Sequence, residues 1–163
     1  MTEDEIQLLD SNVLVYAYDV SEKEKHLIAE NLLARCWKNE TEYALSVQNL
    51  SELFFITTKK IPAPVKVEEM KKNIKDITSF KNFKIFDLKK KNILSATEIS
   101  IKYNLSYWDA LIAAVMKENN IQTIITENEK DFKKIPWLSV INPFSKEKGK
   151  EKINGFGIAK DTK

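Results

Sequence analysis

The fold of this 163-residue chain is decided near the amino terminus, by the stretch Ile6-Gln7-Leu8-Leu9-Asp10-Ser11-Asn12-Val13-Leu14-Val15-Tyr16. A short apolar run ends at an acid, and a longer apolar run begins after Ser11 and Asn12. This pattern predicts a buried strand, a sharp exit, and a helix that starts near Ser11.

The alternation of strands and helices continues along the chain. Further strands are predicted over residues 43–45, 83–86, 122–126 and 137–141, and helices over 22–39, after Ser46, and over 65–80, 90–103 and 106–119. Ser21 and Glu24 have the spacing of a capping box before the helix 22–39. The helix 106–119 is nearly all apolar after its first turn, so we expect it to be central. Together these elements predict an α/β fold, with a mostly parallel central sheet of four to five strands flanked by helices.

Glycine is nearly absent from the chain. Its three glycines, Gly149, Gly155 and Gly157, all lie in the last fifteen residues. A Walker loop, a dinucleotide fingerprint and a nucleophile elbow all need glycine, because the backbone must turn sharply at those sites. A phosphate would therefore have to be bound by side chains and metal ions.

The net charge of +2 is unevenly distributed. Residues 145–163 carry six lysines against three acids, which leaves a net charge of −1 on the residues before them. The composition also changes there to lysine, glutamate and glycine, with almost no apolar periodicity. We therefore expect one domain over residues 1–144 and a basic, flexible tail over residues 145–163.

The number of cysteines and the length of the apolar runs indicate the cellular compartment of the protein. The single cysteine, Cys36, excludes an intrachain disulfide and favours a reducing environment. The longest apolar run, Ala110–Met116, is far shorter than the roughly 20 residues that span a bilayer. The stretch 2–5, in which three of the four residues are acidic, is unlike a signal peptide. We expect a cytoplasmic protein without a membrane segment.

Several acids follow strands or lie near helix starts. They are Asp10, Glu52, Asp87, Asp109, Glu127, Glu129 and Asp131. Because the carboxyl ends of parallel strands meet at one edge of a sheet, acids at this edge form a cluster. Clustered carboxylates repel one another, and a hard cation such as Mg²⁺ or Mn²⁺ relieves that repulsion.

Taken singly, each acid also has a structural explanation. Asp10 and Asp109 could cap helices, and Glu52 could pair with a lysine on an exposed helix face. Asp87 is assigned to a turn. The tryptophans are assigned to packing, although Trp108 lies beside Asp109 near the expected cleft.

Four segments together resemble one family. They are Leu8-Leu9-Asp10-Ser11-Asn12, Asn49-Leu50-Ser51-Glu52, Ser106-Tyr107-Trp108-Asp109-Ala110-Leu111-Ile112-Ala113 and Thr126-Glu127-Asn128-Glu129-Lys130-Asp131-Phe132. In order and spacing they resemble the motifs of PIN-domain ribonucleases, most closely the VapC toxins of toxin–antitoxin pairs. The resemblance covers roughly residues 6–142 and implies a PIN-like three-layer fold.

The resemblance also implies a metal site. Asp10, Glu52 and Asp109 would be catalytic acids that hold Mg²⁺ or Mn²⁺. Asp131 would be the fourth such acid, with Glu129 or Glu127 as the alternative. Asn12, Thr126 and Asn128 would be supporting polar residues.

The activity implied by the resemblance is metal-dependent hydrolysis of RNA by an endoribonuclease. The chain would be the toxin of a pair, neutralised by a small antitoxin protein, and a homodimer. A housekeeping PIN nuclease in RNA processing, and a non-catalytic module that binds RNA or protein, are the alternatives. A phosphohydrolase with Asp10 as nucleophile fits less well, because such sites usually have a second acid where this chain has Asn12.

Overall fold

The computed structural model describes residues 5–146, which contain five strands and seven helices. The strands are β1 (Gln7–Leu9), β2 (Tyr43–Ser46), β3 (Phe83–Phe86), β4 (Thr123–Ile125) and β5 (Ser139–Ile141). The helices are α1 (Ser11–Tyr16), α2 (Lys23–Trp37), α3 (Val47–Lys59), α4 (Val67–Ser79), α5 (Lys90–Tyr103), α6 (Tyr107–Glu118) and α7 (Glu129–Phe132).

The strands form one sheet in the order β3-β2-β1-β4-β5, and every pair in it is parallel. From β1 the chain moves outward to β2 and β3, and then returns to the other side of β1 to form β4 and β5. The direction of winding therefore reverses beside β1, which creates a crevice at the carboxyl end of that strand.

Neighbouring residues of each central strand point to opposite faces of the sheet. Leu9, Leu45 and Ile125 pack with α1 to α4 in one core, whereas Leu8 and Ile124 pack with α5, α6 and α7 in a second core. Helix α6 is buried over the whole run from Ala110 to Met116, as its composition predicts. The predicted three-layer α/β fold is therefore confirmed, with five strands that are all parallel.

Asparagine takes the place of glycine where helices end. Asn39, Asn104 and Asn120 have φ angles of 62°, 50° and 55° and follow α2, α5 and α6. Asparagine tolerates this left-handed conformation better than other residues with a side chain. The described part of the chain can thus end its helices without any glycine.

Two local features differ from the sequence prediction. The capping box at Ser21 and Glu24 is wrong: α2 starts at Lys23, and the Ser21 backbone NH and hydroxyl donate instead to Asp19 Oδ1, at 3.1 and 2.6 Å. Because Asp19 is buried, its carboxylate needs these donors. The single turn α7 was not predicted, since four residues are too short for a periodic pattern.

Within residues 5–146, no helix is both long and apolar enough to cross a membrane. Of the expected basic tail, residues 147–163 lie outside the described part of the chain. The division into residues 1–144 and 145–163 therefore stays a prediction.

Candidate active site

A pocket of about 400 Å³ opens at the carboxyl end of β1, where the sheet reverses its winding. Asp10, Glu52 and Asp109 line it together, although they come from three separate segments of the chain. The other lining residues are Ser11, Asn12, Val15, Tyr16, Asp19, Glu22, Ile56, Trp108, Ile112 and Asn128. The fold thus brings together the three acids that the sequence motifs single out.

Asp10 is the most buried of these acids, with 5% of its surface exposed. It lies between β1 and α1, where its Oδ1 accepts a hydrogen bond of 2.7 Å from the backbone NH of Ser11. Its Oδ2 accepts one of 2.7 Å from the Thr126 hydroxyl and a longer one, 3.3 Å, from Asn12 Nδ2. Asp10 is therefore both the predicted helix cap and a pocket residue.

The supporting residues join the ends of β1 and β4. Asn12 donates to Thr126 Oγ1 at 3.3 Å and accepts from the backbone NH of Glu127 at 3.2 Å. Thr126 is fully buried and also accepts from the backbone NH of Asn128 at 3.0 Å. The orientation of Asp10 thus depends on two strands that are adjacent in space but far apart in sequence.

Glu52 points from α3 into the same pocket and is held by Gln48, one helical turn earlier. Gln48 Nε2 donates to Glu52 Oε1 at 2.7 Å and to the backbone carbonyl oxygen of Trp108 at 3.1 Å. One amide group therefore ties Glu52 to the start of α6, where Asp109 lies. Sequence reasoning missed Gln48, although its spacing of four residues from Glu52 is a recognisable signal.

The start of α3 is fixed by a buried polar network. Ser46 and Asn49 form a capping box, and Asn49 Nδ2 donates to Ser11 Oγ at 2.9 Å. The network joins the first turns of α1 and α3 side by side. The carboxylates of Asp10, which caps α1, and of Glu52, on α3, consequently face one pocket.

Asp109 lies in the first turn of α6. Its backbone NH donates to Ser106 Oγ at 3.3 Å, so Ser106 caps the helix. Its Oδ2 accepts a hydrogen bond of 3.1 Å from Asn128 Nδ2. Asn128 thus reaches the pocket from the loop after β4 and contacts an acid directly.

The candidates for a fourth acid lie outside the pocket lining. Asp131 pairs with Lys134 at 3.3 Å, although its charge still acts on Asp109. Glu129 accepts from Lys133 and from Asn142, both at 3.1 Å. Glu127 accepts from Lys25 and from the Tyr16 hydroxyl, both at 2.5 Å. Each of these carboxylates is already engaged by a neighbouring cation or polar group.

Burial, and to a smaller extent mutual repulsion, disfavours the ionised forms of Asp10 and Asp109. Burial raises the pKa of Asp10 to about 6, hydrogen bonds from Thr126 and Ser11 oppose the shift, and the charges of Asp109 and Glu52 add to it. Burial also raises the pKa of Asp109, with further contributions from Asp131 and Glu52, while Ser106 and Asn128 lower it. A cation bound in the pocket would relieve this repulsion.

The donor set fits a hard divalent cation. The polar lining is carboxylate, hydroxyl and amide, which are the oxygen donors that Mg²⁺ and Mn²⁺ prefer. Within residues 5–146, no three His, Cys, Asp or Glu side chains already converge as ligands of one ion. Mg²⁺ commonly binds one or two carboxylates and keeps several waters, so it does not need such a group.

The three tryptophans differ in environment. Trp37 packs against Phe80 and Phe83, and Trp137 packs on the second core. Trp108 contacts Tyr107, but 63% of it is exposed and it lines the pocket. The assignment to packing therefore does not describe Trp108.

Solved structures share this fold. A VapBC2 structure from Rickettsia felis, bound to a promoter DNA fragment, contains a chain of 25% identity, with 84% of this chain and 98% of that chain covered and a TM-score of 0.60. VapC20 of Mycobacterium tuberculosis, described as a sarcin-ricin loop cleaving toxin, has 14% identity, coverage of 78% and 93%, and a TM-score of 0.62. DNA-bound VapBC of Salmonella typhimurium has 16% identity, coverage of 83% and 96%, and a TM-score of 0.59.

No curated protein matches the sequence significantly. The PIN domain profile matches residues 8–138, a span that includes Asp10, Glu52, Asp109 and the whole segment from Thr126 to Asp131. Because this match covers most of the chain and agrees with the fold, the chain belongs to the PIN-domain family.

Proposed function

We propose that this chain is a divalent-metal-dependent endoribonuclease and the toxin of a toxin–antitoxin pair. One observation carries the proposal: Asp10, Glu52 and Asp109 line a single pocket at the crevice of a PIN fold. An intact set of three carboxylates argues against a non-catalytic module, because the three negative charges repel one another and a module that binds no cation would not need them.

Asp10, Glu52 and Asp109 would hold Mg²⁺ or Mn²⁺, directly or through bound water, with Asp131 near enough to Asp109 to act on it electrostatically. Such an ion lowers the pKa of water and offsets negative charge on a phosphate. Thr126 and Asn12 orient Asp10, Gln48 orients Glu52, and Asn128 orients Asp109. The scissile phosphate of the RNA would enter the open side of the pocket.

The structural neighbours support the proposed antitoxin partner as well as the proposed RNA substrate. Several are toxin–antitoxin or VapBC assemblies, and one is described as a sarcin-ricin loop cleaving toxin. We therefore propose a small antitoxin as protein partner, and the homodimer stays a prediction from the family resemblance. The single described cysteine is buried and free, which suits the cytoplasm as the proposed location.

The test is cleavage of end-labelled RNA by the purified protein. We expect cleavage with Mg²⁺ or Mn²⁺, none with EDTA, and recovery when Mn²⁺ is restored in excess. Asp10→Asn, Glu52→Gln and Asp109→Asn should each reduce cleavage by roughly a hundredfold or more. Their thermal midpoints should stay close to the parent value or rise, because each change removes a repelling charge.

Asp87→Asn is the matched control for these variants. Asp87 also follows a parallel strand, β3, but it is not part of the pocket lining. We expect it to retain activity. Cleavage that survives EDTA, or full activity in Asp10→Asn, would contradict the proposal.

A further inference from the structure

Trp108 is a large apolar side chain in an unusual position. It lies at the pocket rim beside Asp109, and 63% of it is exposed. A single exposed apolar residue is ordinary on a protein surface. An indole on the rim of a pocket lined by acids and amides is less common. The cleft places a flat apolar ring next to the acids that would hold the cation that binds a phosphate.

The backbone beneath this ring is held firmly. Gln48 Nε2 donates to the Trp108 carbonyl oxygen at 3.1 Å and to Glu52 Oε1 at 2.7 Å. The Tyr107 ring packs at 5.3 Å in an edge arrangement, with an interplanar angle of 70°. These contacts place the Trp108 backbone beside Glu52 and Asp109 and its ring against Tyr107.

Gln48 also has an unused hydrogen-bond acceptor. Its Oε1 is buried and makes no hydrogen bond to any described residue. Buried amide oxygens usually have a partner. The unpaired acceptor belongs to the same amide group whose nitrogen binds Glu52 and Trp108, so a bound water is the partner it would take.

We propose that Trp108 is a stacking platform for an unpaired base next to the scissile phosphate of the RNA. The inference rests on the proposed nuclease function and deepens it, since it selects single-stranded or looped RNA over a paired helix. Bases stack on exposed aromatic rings regardless of their identity, and they must be unpaired to do so. RNA is favoured over a docking protein because most residues that line the pocket beside the ring are acids or amides, and the acids would hold the cation that a phosphate needs.

The first experiment compares cleavage kinetics of the parent, Trp108→Ala and Trp108→Phe on a labelled single-stranded oligoribonucleotide with Mn²⁺. Loss of one base stack should raise KM by roughly 5- to 100-fold in Trp108→Ala and leave kcat within about threefold. Trp108→Phe should restore part of the loss. Trp37→Phe is the control, because Trp37 packs against Phe80 and Phe83 and keeps an aromatic ring there.

The second experiment does not depend on cleavage. Tryptophan fluorescence is titrated with the same oligonucleotide and Mg²⁺ in an Asp10→Asn background. Quenching should persist with Trp37→Phe and disappear with Trp108→Phe. The same strand annealed to its complement should quench less than the single strand.

The outcomes separate the two proposals. If the parent fails to cleave any RNA with metal, the proposed function fails, whereas the fluorescence result still tests the stacking role. If the parent cleaves but Trp108→Ala keeps its KM and Trp108→Phe keeps the quenching, the stacking role is overturned. Normal RNA binding by Trp108→Ala combined with lost antitoxin binding would also overturn it and assign the ring to a protein interface.

Discussion

At the scale of single residues, Thr126 shows how one side chain can organise a charged site. Its hydroxyl donates to Asp10 Oδ2 and accepts from both Asn12 Nδ2 and the backbone NH of Asn128. The residue is fully buried, so its hydroxyl cannot turn to bulk water instead. The position therefore requires a hydroxyl rather than merely a residue of this size.

Thr126→Val should destabilise the protein by about 1–3 kcal/mol, because it leaves buried polar groups unpaired. It should also reduce RNA cleavage, since Asp10 loses its shortest side-chain hydrogen bond. Thr57→Val is the control: the Thr57 hydroxyl is buried but donates to the carbonyl of Leu53 within its own helix. Urea denaturation of both variants measures the difference, and equal losses would contradict the special role of Thr126.

The fourth acid is also a question of single residues. Asp131 remains our prediction, since its charge acts on Asp109 although it pairs with Lys134. Glu127 is engaged by Lys25 and Tyr16, and Glu129 by Lys133 and Asn142. The charges that chiefly raise the pKa of Asp109 are those of Asp131 and Glu52.

Asp131→Asn should therefore lower cleavage by about 10- to 100-fold, as expected for a residue that acts through a metal ligand or a water. Glu127→Gln and Glu129→Gln should stay within a few-fold of the parent. Initial rates at saturating Mn²⁺ provide the measurement. A greater loss in Glu127→Gln than in Asp131→Asn would transfer the role to Glu127.

At the scale of elements, asparagine ends helices in a chain that is nearly free of glycine. Asn104 ends α5 with a φ of 50°, and it is exposed, so its side chain adds little packing. The backbone conformation itself is the constraint at this position. Asparagine satisfies it at lower cost than alanine would.

Asn104→Ala should consequently lower stability by about 1 kcal/mol, whereas Asn104→Gly should leave it unchanged or raise it slightly. The glycine variant is the matched control, because both changes remove the same side chain. Thermal denaturation of the two variants is the measurement. Equal destabilisation would show that side-chain contacts, not the φ angle, determine the preference.

At the scale of the whole molecule, α5 and α6 form the layer on one face of the sheet, and an ion cluster joins the start of α5 to the end of α6. Glu118 is bridged by Lys89 and Lys91, both at 2.9 Å, and accepts from Asn92. The Lys91 ammonium, followed by Lys89 and Asn92, lowers the pKa of Glu118 from 4.5 to about 2. Its ionised form is therefore favoured in the folded state.

Because the pKa of Glu118 is lower in the folded chain than its unfolded value of 4.5, the ionised carboxylate stabilises the fold at pH values above about 4.5. This contribution is lost as the pH falls towards 2. Glu118→Gln should have a lower thermal midpoint than the parent at pH 7, and the gap should narrow between about pH 5 and pH 2. Glu98→Gln, a change at an exposed carboxylate on α5, is the control. A gap that is constant with pH would contradict the ionic origin.

Much of the fold could be predicted from local patterns. The bounds of α5 are those predicted, and α6, α2 and α4 differ from prediction by one or two residues at their ends. Long amphipathic or apolar helices are predictable because many residues contribute to one period. The single turn α7 and the start of α2 were less predictable, because a few residues and one buried acid, Asp19, decide them.

The sequence by itself determined the alternation of strands and helices, the exclusion of glycine-based phosphate loops in the first 148 residues, and the acids that could form a site. Only the tertiary structure decided which of these acids meet. Asp10 and Asp87 both follow parallel strands, yet β1 is central and β3 is at the edge, so only Asp10 lies at the crevice. Strand order depends on contacts between distant segments, and the direction of a side chain depends on how its helix docks. Neither property follows from a local pattern, which is why the contact of Gln48 with Glu52 and the exposed position of the Trp108 ring could be assigned only from the tertiary structure.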